Sequence, residues 1–152
     1  MIIIQDTADF LLYQQRGYMS NTYIVTKYLG IQYKNMGRDL TGLDCWGLVM
    51  ALYKDILNIE LPDTIDNYGI DWSWKGKDYF KENYTDKWFR VEKAESMDIA
   101  LFKNSKGIAN HAGVMLNSKD FIQCTKAGVN LSKITHKKVA ERLVGIFRYK
   151  ND

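Results

Sequence analysis

Only two of the 152 residues are cysteine, Cys45 and Cys124, so neither a disulfide framework nor a zinc site made of thiols alone can hold this chain together. Proline occurs once, at Pro62. Gly/Ser linkers, repeats and low-complexity stretches are lacking, which reads as one domain over residues 1–152. No run of apolar residues is long enough to cross a membrane. The apolar start at Ile2, Ile3 and Ile4 is too short for a signal peptide and has no basic leader, so any extracellular substrate is expected to be reached by another route. An excess of one charge is also missing. The net charge of +3 falls far short of a nucleic-acid footprint, though it suits approach to an anionic polymer such as cell wall. With 46% hydrophobic and 26% charged residues, the composition is that of an ordinary globular domain with a single core.

The pattern along the chain divides in two. Asp6 is placed to cap a short helix through Leu11, Leu12 and Gln15, ended by Gly17, and Asn21 to cap a second running to Leu29 before Gly30. Ile31 to Asp44 reads as a loop rich in Gly and Asp. From Cys45, the apolar residues Leu48, Val49, Leu52, Tyr53 and Ile56 fall at helical spacing, and Pro62 closes off the segment after that helix. Asp63 to Trp88 is irregular and crowded with Tyr68, Trp72, Trp74, Tyr79, Phe80, Tyr84 and Trp88. These rings either shape a substrate groove or cover the helices. The pattern then changes to short strands at Ile99–Phe102, His111–Leu116, Phe121–Cys124, Val129–Leu131 and Val144–Tyr149. Helices first and a short antiparallel sheet second predict an α+β domain.

Cys45 opens a helix directly after Thr41-Gly42-Leu43-Asp44. A thiol there meets the positive end of the helix dipole, which favours thiolate and lowers its pKa, while the free backbone N–H groups suit a developing oxyanion. The competing reading is a small buried hydrophobe, which is what most free cysteines are. Cys124 is expected to be such a core residue. A nucleophilic thiol needs an imidazole. His136 lies in the polar stretch Thr135-His136-Lys137-Lys138, whereas His111 opens a strand, and His111 is the better placed of the two. The imidazole in turn needs an acceptor on its other nitrogen. A three-residue loop of Asn117-Ser118-Lys119 would pair Gly113 with Gln123 and set Gln123 diagonal to His111 on one face. A two-residue loop would put them on opposite faces.

These residues carry a resemblance. Tyr28-Leu29-Gly30-Ile31-Gln32-Tyr33, Gly37-Arg38-Asp39 and Gly42-Leu43-Asp44-Cys45-Trp46-Gly47-Leu48-Val49 resemble the nucleophile region of the NlpC-type, papain-like cell-wall cysteine peptidases. The chain is most similar to their phage-tail branch, in which Asp-Cys-Trp-Gly-Leu-Val and a later Leu-Pro, here Leu61-Pro62, recur. Met97-Asp98-Ile99-Ala100-Leu101-Phe102 resembles the strand before the family's histidine, and His111-Ala112-Gly113-Val114 its His-x-Gly strand. Gly128-Val129 and Gly145-Ile146-Phe147-Arg148 also fit. The likeness spans about residues 22 to 149, leaving 1–21 as an extension.

The resemblance implies Cys45 as nucleophile, His111 as base and Gln123 as orienter, at a position where many members have a histidine. It implies Tyr33 near the thiol, where it helps the oxyanion or merely packs, and Asp44 as helix cap or substrate contact, with the cap favoured. The implied substrate is the peptide stem of peptidoglycan, with no metal or cofactor. The implied setting is a phage or prophage tail among other tail-tip proteins, or a toxin delivered by a secretion machine. Two rivals remain open: a tail-tip assembly protein that keeps the fold, and a thiol amidase or acyltransferase on the same scaffold.

Overall fold

Among the described residues the first helical segment, α1, covers 21–28 and turns Ile24 and Tyr28, one helical repeat apart, into the core. The computed structural model describes residues 21–63 and 87–150. The helix expected from Asp6 to Gly17 and all the aromatics of the central segment except Trp88 lie outside that range. Asn21 is not a cap. It sits within the helix, and its Nδ2 donates to Leu116 O at 2.8 Å, tying α1 to the sheet.

The Gly- and Asp-rich segment contains a small ladder, β1 (Arg38–Asp39) against β2 (Gly42–Leu43). It leads straight into α2 (Cys45–Leu52), whose Trp46, Gly47, Leu48, Val49 and Leu52 are buried. Gly47 is required by proximity, since a Cβ there would lie 2.0 Å from Gly37 O. The apolar spacing seen at Tyr53 and Ile56 continues as a wider π-helical turn, Tyr53–Leu57, stopped by Asn58 in the left-handed region at φ 55°.

The second half is one antiparallel sheet. It comprises β3 (Trp88–Val91), β4 (Ile99–Lys103), β5 (Ala109–Met115), β6 (Asp120–Thr125), β7 (Gly128–Lys133) and β8 (Leu143–Tyr149), with a short helix α3 (Lys137–Ala140) before β8. The spatial order is β3-β8-β4-β5-β6-β7. All five expected strands are present, and the fold is α+β. Trp88–Val91 corrects the sequence reading, because Trp88 belongs to an edge strand, where its ring packs on Tyr149 and Tyr53.

Strand alternation sorts the sheet's side chains into two cores. Ile99, Leu101, Ala112, Val114, Ile122 and Cys124 pack with α1 and α2, while Ala100, Phe102, Met115, Phe121 and Ile146 cover the other face. Leu116 N donates to Asp120 O at 2.8 Å, so the turn is the three-residue Asn117-Ser118-Lys119. Asn117 Oδ1 accepts from Lys119 N and Asp120 N, both at 2.8 Å, which fixes that length. The resulting register pairs Gly113 with Gln123.

The β6–β7 turn is clipped to the segment preceding the nucleophile helix. Gly30 N donates to Val129 O at 3.0 Å and Val129 N to Ile31 O at 2.8 Å. Gly128 makes this possible, with φ at +97° and space for a Cβ only 2.9 Å from Ile31 O. Gly128→Ala is expected to destabilise the protein by about 2 kcal/mol, from strained backbone and a displaced Ile31. Urea unfolding monitored by tryptophan fluorescence measures it, and an unchanged midpoint would show the clip to be dispensable.

Candidate active site

Asp44 caps α2. Its backbone is extended (φ −102°, ψ −173°), and its Oδ1 accepts from Gly47 N at 2.7 Å. The same carboxylate takes Met36 N at 3.0 Å and Arg38 Nη1 at 2.8 Å, and is almost wholly buried. Arg38 continues outward to Gly37 O at 2.9 Å and Asp63 Oδ1 at 3.1 Å. Of the two roles implied for Asp44, the cap is the one its contacts fill. Arg38 is a structural partner that the sequence singled out only within a motif; a buried Asp on a helix start was the available sign that a cation should lie near.

Cys45 follows the cap and is half-buried at the start of α2. The expected low pKa is not found. Burial first, and the Asp44 carboxylate second, push the thiol up to about 12, while backbone hydrogen bonding from Ala112 and Trp46 pulls the other way without prevailing. The helix dipole is outweighed because the residue that best caps the helix is also an anion adjacent to the sulfur. Cys124 is buried as expected; its thiol donates to Leu43 O at 3.0 Å and is pushed up to about 11 by burial and then by Asp44.

His111 stands where β5 enters the sheet, next to an irregular step opposite Phe102 and Lys103. Its ring packs against Phe102 with centroids 5.7 Å apart. His111 Nε2 lies 2.8 Å from Gln123 Oε1, the diagonal contact that the three-residue turn allows. An amide oxygen can only accept, so Nε2 carries the proton and Nδ1 is the free basic nitrogen. Burial, and more weakly the Arg142 charge, hold the imidazole below its ordinary value, although the bond to Gln123 pulls upward. His136 is exposed, as its polar surroundings implied.

The structure therefore brings His111 and Gln123 into contact, and brings the Cys45 sulfur to the backbone of Ala112, the residue after His111. Among the described residues, no hydrogen bond joins the Cys45 thiol to the His111 ring. Tyr33 is half-buried and bridges to Leu43; its hydroxyl donates to Asn35 Oδ1 at 3.4 Å, and burial, then the Asp44 charge, raise its pKa. Next to the base, Asn110 Oδ1 is buried without a partner, and no pattern in the sequence pointed to it. Among the described residues, no cluster of His, Cys, Asp and Glu could hold a metal ion.

A family model described as the NlpC/P60 family matches residues 30–148. The tail tip assembly protein K of Escherichia phage N15 is 32% identical over 79 residues, which is 48% of this chain. The match covers only 31% of that protein, so the chain spans less than a third of this curated relative. Among solved structures, a Staphylococcus aureus protein described as similar to lipoprotein, of the NLP/P60 family, superposes with a TM-score of 0.63 at 15% identity, over 91% of this chain and 42% of its own. The NlpC/p60 domain of the peptidoglycan hydrolase SagA does so with a TM-score of 0.52 at 20% identity, over 76% of this chain and 88% of its own. At such identities these superpositions speak for the fold.

Because thiolate is the nucleophile and the Cys45 thiol is held protonated, iodoacetamide should label Cys45 slowly at neutral pH, the rate climbing about tenfold per pH unit from 7 to 10. Cys124, buried and donating to Leu43, should stay unlabelled until unfolding. Peptide mapping separates the two. A labelling rate already level between pH 6 and 8 would mean a preformed thiolate–imidazolium pair instead.

Proposed function

The chain belongs to the NlpC/P60 family, and from that premise we propose that it is a cysteine peptidase that cleaves an amide bond in the peptide stem of bacterial peptidoglycan. The observation that carries this reading is the His111–Gln123 contact at 2.8 Å, which leaves Nδ1 as a free base one residue from the strand position against which the Cys45 sulfur rests. Residues 22–149 form the catalytic unit of this reading and 1–21 an extension.

With both groups neutral at rest, the reaction begins with proton transfer during attack. As Cys45 Sγ bonds to the scissile carbonyl carbon, its proton passes to His111 Nδ1, and the carbonyl π electrons move to oxygen. Backbone N–H groups at the start of α2 hold that oxyanion, with Tyr33 assisting. His111 then returns the proton to the leaving amine as the C–N bond breaks, giving a thioester. Water, deprotonated by His111, hydrolyses the thioester and restores the thiol. Thiol and imidazole come into hydrogen-bond reach when substrate enters; catalytic hydrogen bonds are commonly long or misaligned in unliganded sites. No metal or cofactor takes part.

The similarity to a tail tip assembly protein supports a place in a phage or prophage tail, beside other tail-tip proteins, with wall penetration as the purpose. It also favours a second reading, an assembly domain that retains the fold with little turnover, which the protonated thiol and the missing Cys45–His111 bond suit equally well. Incubation with purified muropeptides and mass spectrometry decides between them. Cleaved stem peptides, lost in Cys45→Ala and His111→Ala but kept in His136→Ala, support the peptidase; intact muropeptides with every variant leave the assembly reading.

Two kinetic outcomes are expected of the peptidase. Since His111 works in its neutral form and its pKa is depressed, activity should hold as pH falls to about 6.5 and decline only below that ordinary imidazole value. A decline already complete above pH 7 would contradict the depressed base. Gln123→Leu should lower kcat on the order of 10- to 1000-fold with KM little changed, as for loss of a positioning contact. An undiminished kcat would remove Gln123 from the mechanism.

A further inference from the structure

Gln123 has two ends of nearly the same shape, and only one of them is useful to His111. If its amide turned over, an NH₂ group would face Nε2, which would then have to accept, and the ring proton would move to Nδ1. The base would be lost without any atom leaving the site. Something must therefore fix which way the amide points, and the next strand supplies it.

The two-residue turn Lys126-Ala127 pairs Thr125 with Gly128 and carries the register across to a direct pair, Gln123 opposite Asn130. Gln123 Nε2 donates to Asn130 Oδ1 at 3.0 Å. Asn130 Nδ2 donates to Gly128 O at 2.8 Å and to Thr125 Oγ1 at 3.0 Å. The Gly128 carbonyl can only accept, so the end of Asn130 that faces it must be NH₂. Asn130 then offers its oxygen to Gln123, Gln123 must answer with its NH₂, and its oxygen is left for His111. Each link is dictated by donor and acceptor chemistry, beginning at a main-chain carbonyl that cannot invert. That carbonyl is itself held by the Gly128 turn clipped to Ile31.

We infer that Asn130 is a positioning residue, which fixes the orientation of the Gln123 amide and through it the Nε2–H tautomer that keeps His111 Nδ1 unprotonated and basic. The catalytic meaning of this rests on the peptidase reading, but the tautomer can be read in the resting protein whether or not it turns over substrate.

The test is long-range ¹H–¹⁵N NMR on protein labelled at histidine. There are only two histidines, and exposed His136 serves as the internal control. The native protein should show His111 as a single Nε2–H tautomer. Asn130→Leu removes the acceptor for Gln123 Nε2, and Asn130→Ser replaces it with a short, rotating hydroxyl that donates as readily as it accepts, so His111 should become a mixture with a substantial Nδ1–H fraction. Gln123→Glu presents two equivalent oxygens, so adding Asn130→Ser to it should leave the tautomer unchanged. Where turnover is measurable, Asn130→Ser should lower kcat about tenfold at unchanged KM, and do so only when residue 123 is Gln. A folded Asn130→Leu or Asn130→Ser protein that retains the pure Nε2–H tautomer would overturn the inference, as would an equal kcat loss in the Gln123→Glu background. The expected tautomer shift in the Asn130 variants, without any muropeptide cleavage by the native protein, would sustain Asn130's role while sinking the peptidase reading.

Discussion

The Asp44 carboxylate is the constraint on which the rest of the site depends. It closes the first turn of α2 through Gly47 N, holds the preceding loop through Met36 N, and anchors Arg38, which reaches on to Asp63. A charge this deeply buried persists only when paired and hydrogen-bonded, and these contacts do both. The start of α2, and with it the position of Cys45, is thereby set to within the play of a few hydrogen bonds. The same charge works against thiolate on the adjacent residue. A neutral cap such as Ser would relieve the sulfur of that repulsion but would give up the ion pair with Arg38.

Much of this could be read in the sequence, and the reason is periodicity. α2 was legible because Leu48, Val49 and Leu52 recur at helical spacing. The Gln123–His111 contact was legible because strand alternation turns a contact into a question of odd or even turn length, and Asn117, with an amide able to cap two backbone N–H groups, selects the odd length. Asn130 lies one step further along the same arithmetic, across the Lys126-Ala127 turn, but a lone amide between Val129 and Leu131 carries no chemistry of its own to single it out.

What the sequence withheld depends on proximity without periodicity. Whether Cys45 gains more from the helix N-terminus than it loses to burial and Asp44 is a balance of distances, and one-dimensional order holds none of them. The edge strand Trp88–Val91 was hidden because its opening tryptophan ends an aromatic-rich stretch, where composition masks alternation. The π-helical turn at Tyr53–Leu57 keeps helical spacing in sequence while widening in space, so Tyr53 comes to meet Trp88 and Tyr149.

The protonation states that emerge are mutually consistent. A neutral amide beside His111 supplies no charge to favour imidazolium, burial and Arg142 disfavour it further, and Asp44 disfavours thiolate. Each effect alone would merely slow a site that relied on a standing ion pair. Together they favour the uncharged pair, which has the same number of protons and differs only in where one of them sits. In such a site the burden moves from charge to orientation, because a neutral imidazole is a base at one nitrogen only. A charged Asp partner would hold the ring through attraction from either of two equivalent oxygens. A Gln can do so only if its own direction is fixed, and the amide chain ending at Gly128 O fixes it.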